Sequence, residues 1–382
     1  MNRIYLDYAA TTPLDPEVIR AMEPFWEDHF GNPSSGHTTG QDAARAIETV
    51  RKKIADFLGA ESREIVFTGS GTESDNMAIK GLCDALRDRG NHIITTAIEH
   101  SAVIKTCEFL ETRGFHVTYL PVGSDGIVDP DAVQKAITDQ TILISVMHAN
   151  NEIGTIQPLE AIGRIAQSRH IRFHTDAVQT FGHLPINVGH LHLDFLSLSA
   201  HKLYGPKGVG ALFIKKDTPF TPLIHGGGHE EGRRSSTQNV PGIVGLGKAA
   251  EIAYRDIRTE QNRIRSLRDR LFSGIRGQIE NVRLNGHASK RLNNNLNLSI
   301  PGVEGESLLM NLDMEGIQIS SGSACSSGSG KPSHVLSALG LEPADARGSL
   351  RITLGRFTTE KEIRLTIKKL TEVVARLRAV AA

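Results

Sequence analysis

Asp194-Phe-Leu-Ser-Leu-Ser-Ala-His-Lys-Leu-Tyr-Gly-Pro-Lys-Gly-Val-Gly210 begins as a short apolar run and ends as a Gly/Pro turn. It therefore reads as a buried strand over Asp194–Ser199 that spills into a loop. Lys202 stands just past the strand end. An ammonium held out of water there binds its proton less tightly, because desolvation disfavours the charged form. A neutral amine attacks aldehydes, so the position suits a Schiff base. On spacing alone, a surface lysine beside a loop is an equal reading.

Outward from this stretch the pattern repeats. Short apolar strands near 64–68, 92–96, 115–120, 141–147, 171–175, 194–199 and 208–214 alternate with helical stretches. Such alternation predicts an α/β fold whose mostly parallel seven-stranded sheet is covered by helices. Ligands of such sheets sit beyond the carboxyl ends of the strands. Thr68-Gly69, Glu99-His100, Met147-His-Ala-Asn150, Asp176 and Ser199-Ala-His-Lys202 all fall at those ends.

Three of these points bear on the lysine. Asp176 closes the strand Ile171-Arg-Phe-His-Thr-Asp176 and can set a carboxylate against a pyridine nitrogen, with Gln179 donating to a ring oxygen; alone, it is equally a helix N-cap. Thr68-Gly-Ser-Gly-Thr-Glu-Ser-Asp-Asn76 opens a helix reaching about Leu86. Its glycines expose backbone N–H groups to an anion at the helix start, and Thr72 adds a hydroxyl. No Gly-Lys-Ser/Thr follows, so it is not a nucleotide P-loop. His100 can stack on a ring and shuttle protons. Together these residues point to pyridoxal 5'-phosphate (PLP), held covalently by Lys202.

The set resembles the cysteine desulfurases of the NifS/IscS type, in the class V aminotransferase group. The matching stretches are Tyr5-Leu-Asp-Tyr-Ala-Ala-Thr-Thr-Pro13, Phe30-Gly-Asn-Pro-Ser-Ser35, Gly71-Thr-Glu-Ser74, Glu99-His100, Met147-His-Ala-Asn-Asn-Glu-Ile-Gly154 and Asp176-Ala-Val-Gln179. They continue with Ser199-Ala-His-Lys202, Gly226-Gly-Gly-His-Glu230, Ser320-Ser-Gly-Ser-Ala-Cys325 and Leu350-Arg-Ile-Thr-Leu-Gly-Arg-Phe-Thr358, in one order across nearly the whole chain. The resemblance implies PLP fold type I with a smaller α+β domain. It implies that Gly71, Thr72, Ser199 and His201 hold the phosphate, joined by Thr237 from the other subunit of a homodimer. Asn151 and Gln179 lie near the ring oxygen, Asp176 meets the pyridine nitrogen and His100 stacks. Arg351 takes the substrate carboxylate beside Asn151, with Arg356 as the second candidate. Two positions depart from the family: Gly71 stands where relatives often carry Ala, and Ser236 where many carry Gly. Longer relatives also carry a C-terminal docking tail beyond the last helix, so the mode of partner docking stays open.

Cys325 lies in Ser320-Ser-Gly-Ser-Ala-Cys-Ser-Ser-Gly-Ser-Gly330, a stretch of small polar residues that cannot build a core. A thiol there can reach both a cofactor and an outside acceptor. Cys83 and Cys107 fall within helical stretches and read as inert. The implied reaction converts L-cysteine to L-alanine, with Lys202 moving the α-proton, His100 managing protons on the substrate thiol, and Cys325 keeping the sulfur as a persulfide. An iron–sulfur scaffold or another sulfur-acceptor protein would receive it. No resident metal is required; a cluster shared transiently between Cys325 and a scaffold is the one metal role left open. A selenocysteine lyase, a plain class V aminotransferase, a Cys/His hydrolase and a non-catalytic scaffold are the alternatives.

The bulk numbers agree. With 382 residues and 43 basic against 43 acidic side chains, neither nucleic acid nor a membrane surface is the expected partner. Three irregularly spaced cysteines give no disulfide framework, and neither a signal peptide nor a transmembrane run is expected, so a cytoplasmic setting follows. Expected domains are an N-terminal arm (1–14) packing with the small domain, a large PLP-binding domain (15–255) and a small C-terminal domain (256–382) carrying the Cys325 loop. Within them, one helix is expected from Asp15-Pro16 to about His29 and a long one from about Val240 to Gly274. A half-buried strand is expected over Asn294–Ile300, and a strand over Leu350–Leu354 with Arg351 turned away from Leu350 and Ile352.

Overall fold

The computed structural model describes residues 3–255, 257–321 and 333–381; Cys325, the expected sulfur carrier, lies outside the described residues. Seven strands form one sheet: β1 (Ile65–Thr68), β2 (His92–Thr96), β3 (His116–Leu120), β4 (Thr141–Ser145), β5 (Arg172–Asp176), β6 (Phe195–Ser199) and β7 (Gly210–Ile214), in the spatial order β1-β7-β6-β5-β4-β2-β3. β7 runs antiparallel to both neighbours, and the other pairings are parallel. The expected seven strands are all present, within two residues at their ends.

The sheet is apolar on both faces because helices cover both. Successive residues feed two different clusters: Ile94, Phe173, Leu196 and Phe213 pack on one face, and Ile93, Leu143, Phe195 and Leu212 on the other. This two-residue period, buried on each side, is why the strands read as continuous apolar runs.

A second hydrophobic cluster draws on residues 264–374 together with Ile4 and Leu6. It surrounds a four-stranded sheet ordered Ser320–Ser321, Ser349–Thr353, Asn295–Ser299, Arg283–Leu284. The N-terminal arm joins it: Ile4–Tyr5 pairs with Ile317–Gln318, and Asp7 bridges Thr353.

Two expectations need correction. The helix from residue 15 breaks into Pro16–Met22 and Pro24–Glu27, because Pro24 lacks an N–H and begins a new helix at its first position. The long helical stretch expected from about Val240 to Gly274 is present as Val240–Arg255 and Ile257–Gln278, with residue 256 outside the described residues. The strand Asn295–Ser299 is buried throughout, not half-buried. Its polar face is covered by the turn after β4, where Asn295 and Asn297 donate through Nδ2 to the Glu152 carbonyl at 3.1 and 3.2 Å.

Candidate active site

A cavity of about 320 Å³ opens where β1, β4, β5 and β6 end. Gly71, Thr72, His100, Asn151, Asp176, Gln179, Ser199, His201, Lys202 and Arg351, drawn from both halves of the chain, line it. Thr237 does not; it is exposed on the surface after the loop 226–236.

Lys202 ends a short 3-10 turn that continues β6. Its Nζ donates to the carbonyls of Ala9 and Ala10 at 2.6 and 2.8 Å, so the N-terminal arm reaches the cavity. Gln179 donates from Nε2 to the same Ala9 carbonyl at 3.0 Å.

Asp176 is the last residue of β5 and is buried. One carboxylate oxygen accepts the Val178 N–H at 2.8 Å. Burial raises its pKa, and the neighbouring Asp75 raises it further. Asp75 comes down from the helix Gly71–Ala85; burial pushes it up to about 7, and its Oδ1 has no hydrogen-bond partner among the described residues. Below both lies a neutral polar layer: His174 bonds Ser145 at 2.8 Å and Ser197 at 3.1 Å, and burial pushes it down to about 4. Two desolvated carboxyls with a neutral imidazole beneath them form a pocket that favours a cation beside Asp176.

His100 caps the helix Ser101–Glu111, its Nδ1 accepting the Ala102 N–H at 3.1 Å. The neutral ring therefore carries its proton on Nε2, and burial holds its pKa down. Glu99 beside it is fully buried; its Oε1 accepts the Thr96 hydroxyl and the Met147 N–H, clamping the end of β2 to the end of β4.

The phosphate-like end of the cavity lies at the start of the helix Gly71–Ala85, where Ser70 accepts the Glu73 N–H. A Cβ on Gly71 would stand 2.6 Å from Val178 Cγ2, so in this chain the Val178 methyl fills the space that a larger residue would need. His201 is lowered to about 4, by burial first and then by Lys202 and Lys207, so it is a neutral donor or acceptor there. A helix start with a bare backbone, a buried acid and a lysine within one cavity fit an anionic pyridine aldehyde such as PLP.

The two candidate arginines part company. Arg351 is 3% exposed; Nη2 donates to Asp7 Oδ1 at 2.9 Å, Nη1 donates to the Asn151 carbonyl at 3.2 Å, and Nε has no partner among the described residues. Arg356 lines a separate cavity of about 280 Å³, where Nη1 donates to Asp15 Oδ2 at 2.7 Å and the guanidinium lies over the Tyr204 ring.

The loop 226–237 is held by two ion pairs that the sequence did not signal. Glu230 receives two bonds from Arg51 and the N–H of Phe67 in β1. Arg234 bonds Glu73, whose other oxygen takes the Gly69 N–H beside the cavity. Ser236 has φ +115°, a region that suits glycine. Such strain costs about 1–3 kcal/mol, whereas glycine's added unfolded-state freedom costs about 0.5–1 kcal/mol. Ser236→Gly is therefore expected to stabilise the chain by about 1 kcal/mol. A rise in denaturant midpoint at constant slope checks it; a fall would show that the Ser236 side chain holds the loop.

A model of the class-V aminotransferase family matches residues 4–365. The chain is 54% identical over 380 residues to a cysteine desulfurase IscS from Dictyoglomus turgidum, covering 100% of this chain and 96% of that one. It is 53% identical over 375 residues to the IscS of Methanosarcina thermophila, covering 98% and 93%. Among solved structures, a NifS-like protein superposes with a TM-score of 0.92 at 40% identity, covering 98% of this chain and 100% of that one. SspA in complex with cysteine superposes with 0.84 at 41% identity, covering 93% and 100%.

Proposed function

The chain belongs to the class-V aminotransferase family and, within it, to the cysteine desulfurases, and from that premise we propose how its cavity converts L-cysteine to L-alanine. The observation that carries the reading is the convergence of Lys202, Asp176, His100 and Arg351 on one cavity, with Cys325 on the chain just beyond Ser321. PLP is the cofactor. Gly71, Thr72, Ser199 and His201 would hold its phosphate, Asp176 its pyridine nitrogen, and Asn151 and Gln179 its ring oxygen. Bound there, PLP supplies an electron sink for charge that builds on the substrate's α-carbon.

The chain's own residues do the rest. Arg351 binds the substrate carboxylate through donors that Asp7 and Asn151 leave over, which fixes the amino acid's orientation. Asp176, ionised beside a ring cation, stabilises that cation in a water-poor site. Lys202 Nζ takes the α-proton and returns one to carbon. His100 holds a proton at Nε2 for the sulfur end of the substrate. The Cys325 thiolate attacks the substrate sulfur; the Cβ–S bond breaks, an S–S bond forms, and Cβ gains a proton. Sulfur is oxidised and carbon reduced by the same electron pair, so no outside oxidant is needed.

A persulfide on Cys325 then passes to an acceptor protein, an iron–sulfur scaffold being the leading kind. In this reading residues 15–255 and 256–382 act as two domains joined by the arm, two chains form a homodimer in which Thr237 completes the partner's phosphate site, and the enzyme works in the cytoplasm. Among the described residues no helix is long and apolar enough to cross a membrane. The test is to supply L-cysteine to the purified protein and follow alanine together with the mass of the Cys325 peptide. Alanine with one added sulfur on Cys325 supports the reading; alanine without it, or a keto acid in its place, refutes it.

A further inference from the structure

We propose that Asp7 is a specificity-determining residue that weakens the hold of Arg351 on the α-carboxylate of substrate and product alike. The inference rests on the reading of Arg351 as the carboxylate partner.

Asp7 is fixed against Arg351 by the backbone. The arm is stitched to the strand that bears the arginine: the Thr353 N–H donates to the Leu6 carbonyl at 2.8 Å, and the Ala9 N–H donates to Thr353 Oγ1 at 2.9 Å. The Tyr5 hydroxyl donates to the Asp7 carbonyl at 3.0 Å. These bonds deliver the carboxylate to Nη2 at 2.9 Å in a nearly closed pair, with side-chain exposures of 3% for Arg351 and 19% for Asp7. Burial raises the Asp7 pKa, while Arg351 and Lys202 both act to lower it. Glu152, a second carboxyl that feels the Arg351 charge, accepts the Ser333 hydroxyl.

A ligand carboxylate on the remaining N–H groups shares one guanidinium with Asp7. Two anions on one cation repel at short range in a site with little water to screen them. Asp7 therefore opposes binding while keeping the guanidinium oriented. Cysteine and alanine carry the same α-carboxylate, so a site that clasped it too tightly would retain the product. The penalty falls on both ligands equally and spares any ligand that lacks the group.

Asp7→Asn removes the charge and keeps an acceptor for Arg351. In the holoenzyme, KM for L-cysteine and the inhibition constant of L-alanine are expected to fall together by about three- to tenfold, as expected for one like charge at a partly screened site. Binding of cysteamine, which has no carboxylate, followed by visible titration, stays unchanged, and kcat moves less than KM. Unchanged or raised constants for cysteine and alanine, or an equal shift for cysteamine, overturn the proposal and leave Asp7 as a structural partner. Asp7→Ser serves the same comparison should Asp7→Asn fail to fold. Arg351→Leu separates the two ideas: if it leaves both constants unmoved, the reading of Arg351 fails; if it raises them while Asp7→Asn lowers neither, the inference alone fails.

Discussion

Cys325→Ser is expected to stop alanine formation from L-cysteine while PLP remains bound. A serine hydroxyl is not ionised near neutral pH, whereas a free thiol with a pKa of about 8.5 is a few per cent thiolate and a far better partner for sulfur. Loss of the nucleophile in an enzyme that acts through a covalent step costs on the order of 10³-fold or more. Neither other cysteine can substitute. Cys83 and Cys107 are fully buried in helices, and burial drives both thiols up, Cys107 to about 12 and Cys83 further. Amino-acid analysis of alanine, alongside the visible spectrum of the bound cofactor, reads the result. Sustained turnover in the serine variant would remove Cys325 from the reaction.

Lys202→Ala is expected to lower turnover by about 10³- to 10⁴-fold, the range for a positioned acid–base group. The same amine is asked to anchor the cofactor and to move the α-proton, so both functions go at once. The loss should not come from unfolding. Lys202 is partly exposed, its Nζ bonds carbonyls of the arm, and the apolar clusters do not include it. A small added amine that restores part of the rate, with unchanged thermal unfolding, would separate the chemical role from a structural one. Full activity in the alanine variant would end the assignment.

The ends of the central strands were legible because a parallel sheet covered on both faces writes itself as apolar runs punctuated by Gly, Asp and His. That signal is local, and Asp176, His100 and Lys202 lie within it. The partners of those residues were not legible, because their contacts span the chain. Asp7 meets Arg351 across 344 positions, and Arg51 meets Glu230 across 179. Nothing in the residues near Asp7 says that its carboxylate faces a guanidinium. The choice between Arg351 and Arg356 shows the same limit. Both sit in one apolar stretch, but the strand stops at Thr353, and beyond Gly355 the chain carries Arg356 to Asp15 in another cavity. The buried acids Asp75 and Glu99 stand close to strand ends, yet their role comes from desolvation, which packing sets. The break at Pro24, by contrast, is local, since a proline cannot continue the helix that precedes it.

Reduction of the PLP-loaded protein with borohydride, followed by peptide mapping, bears most directly on whether Lys202 is the amine joined to the cofactor. The pyridoxyl group is predicted on the peptide containing Lys202 and on no other lysine. A label on Lys207, Lys215 or another lysine, or PLP that washes free after reduction, would contradict it.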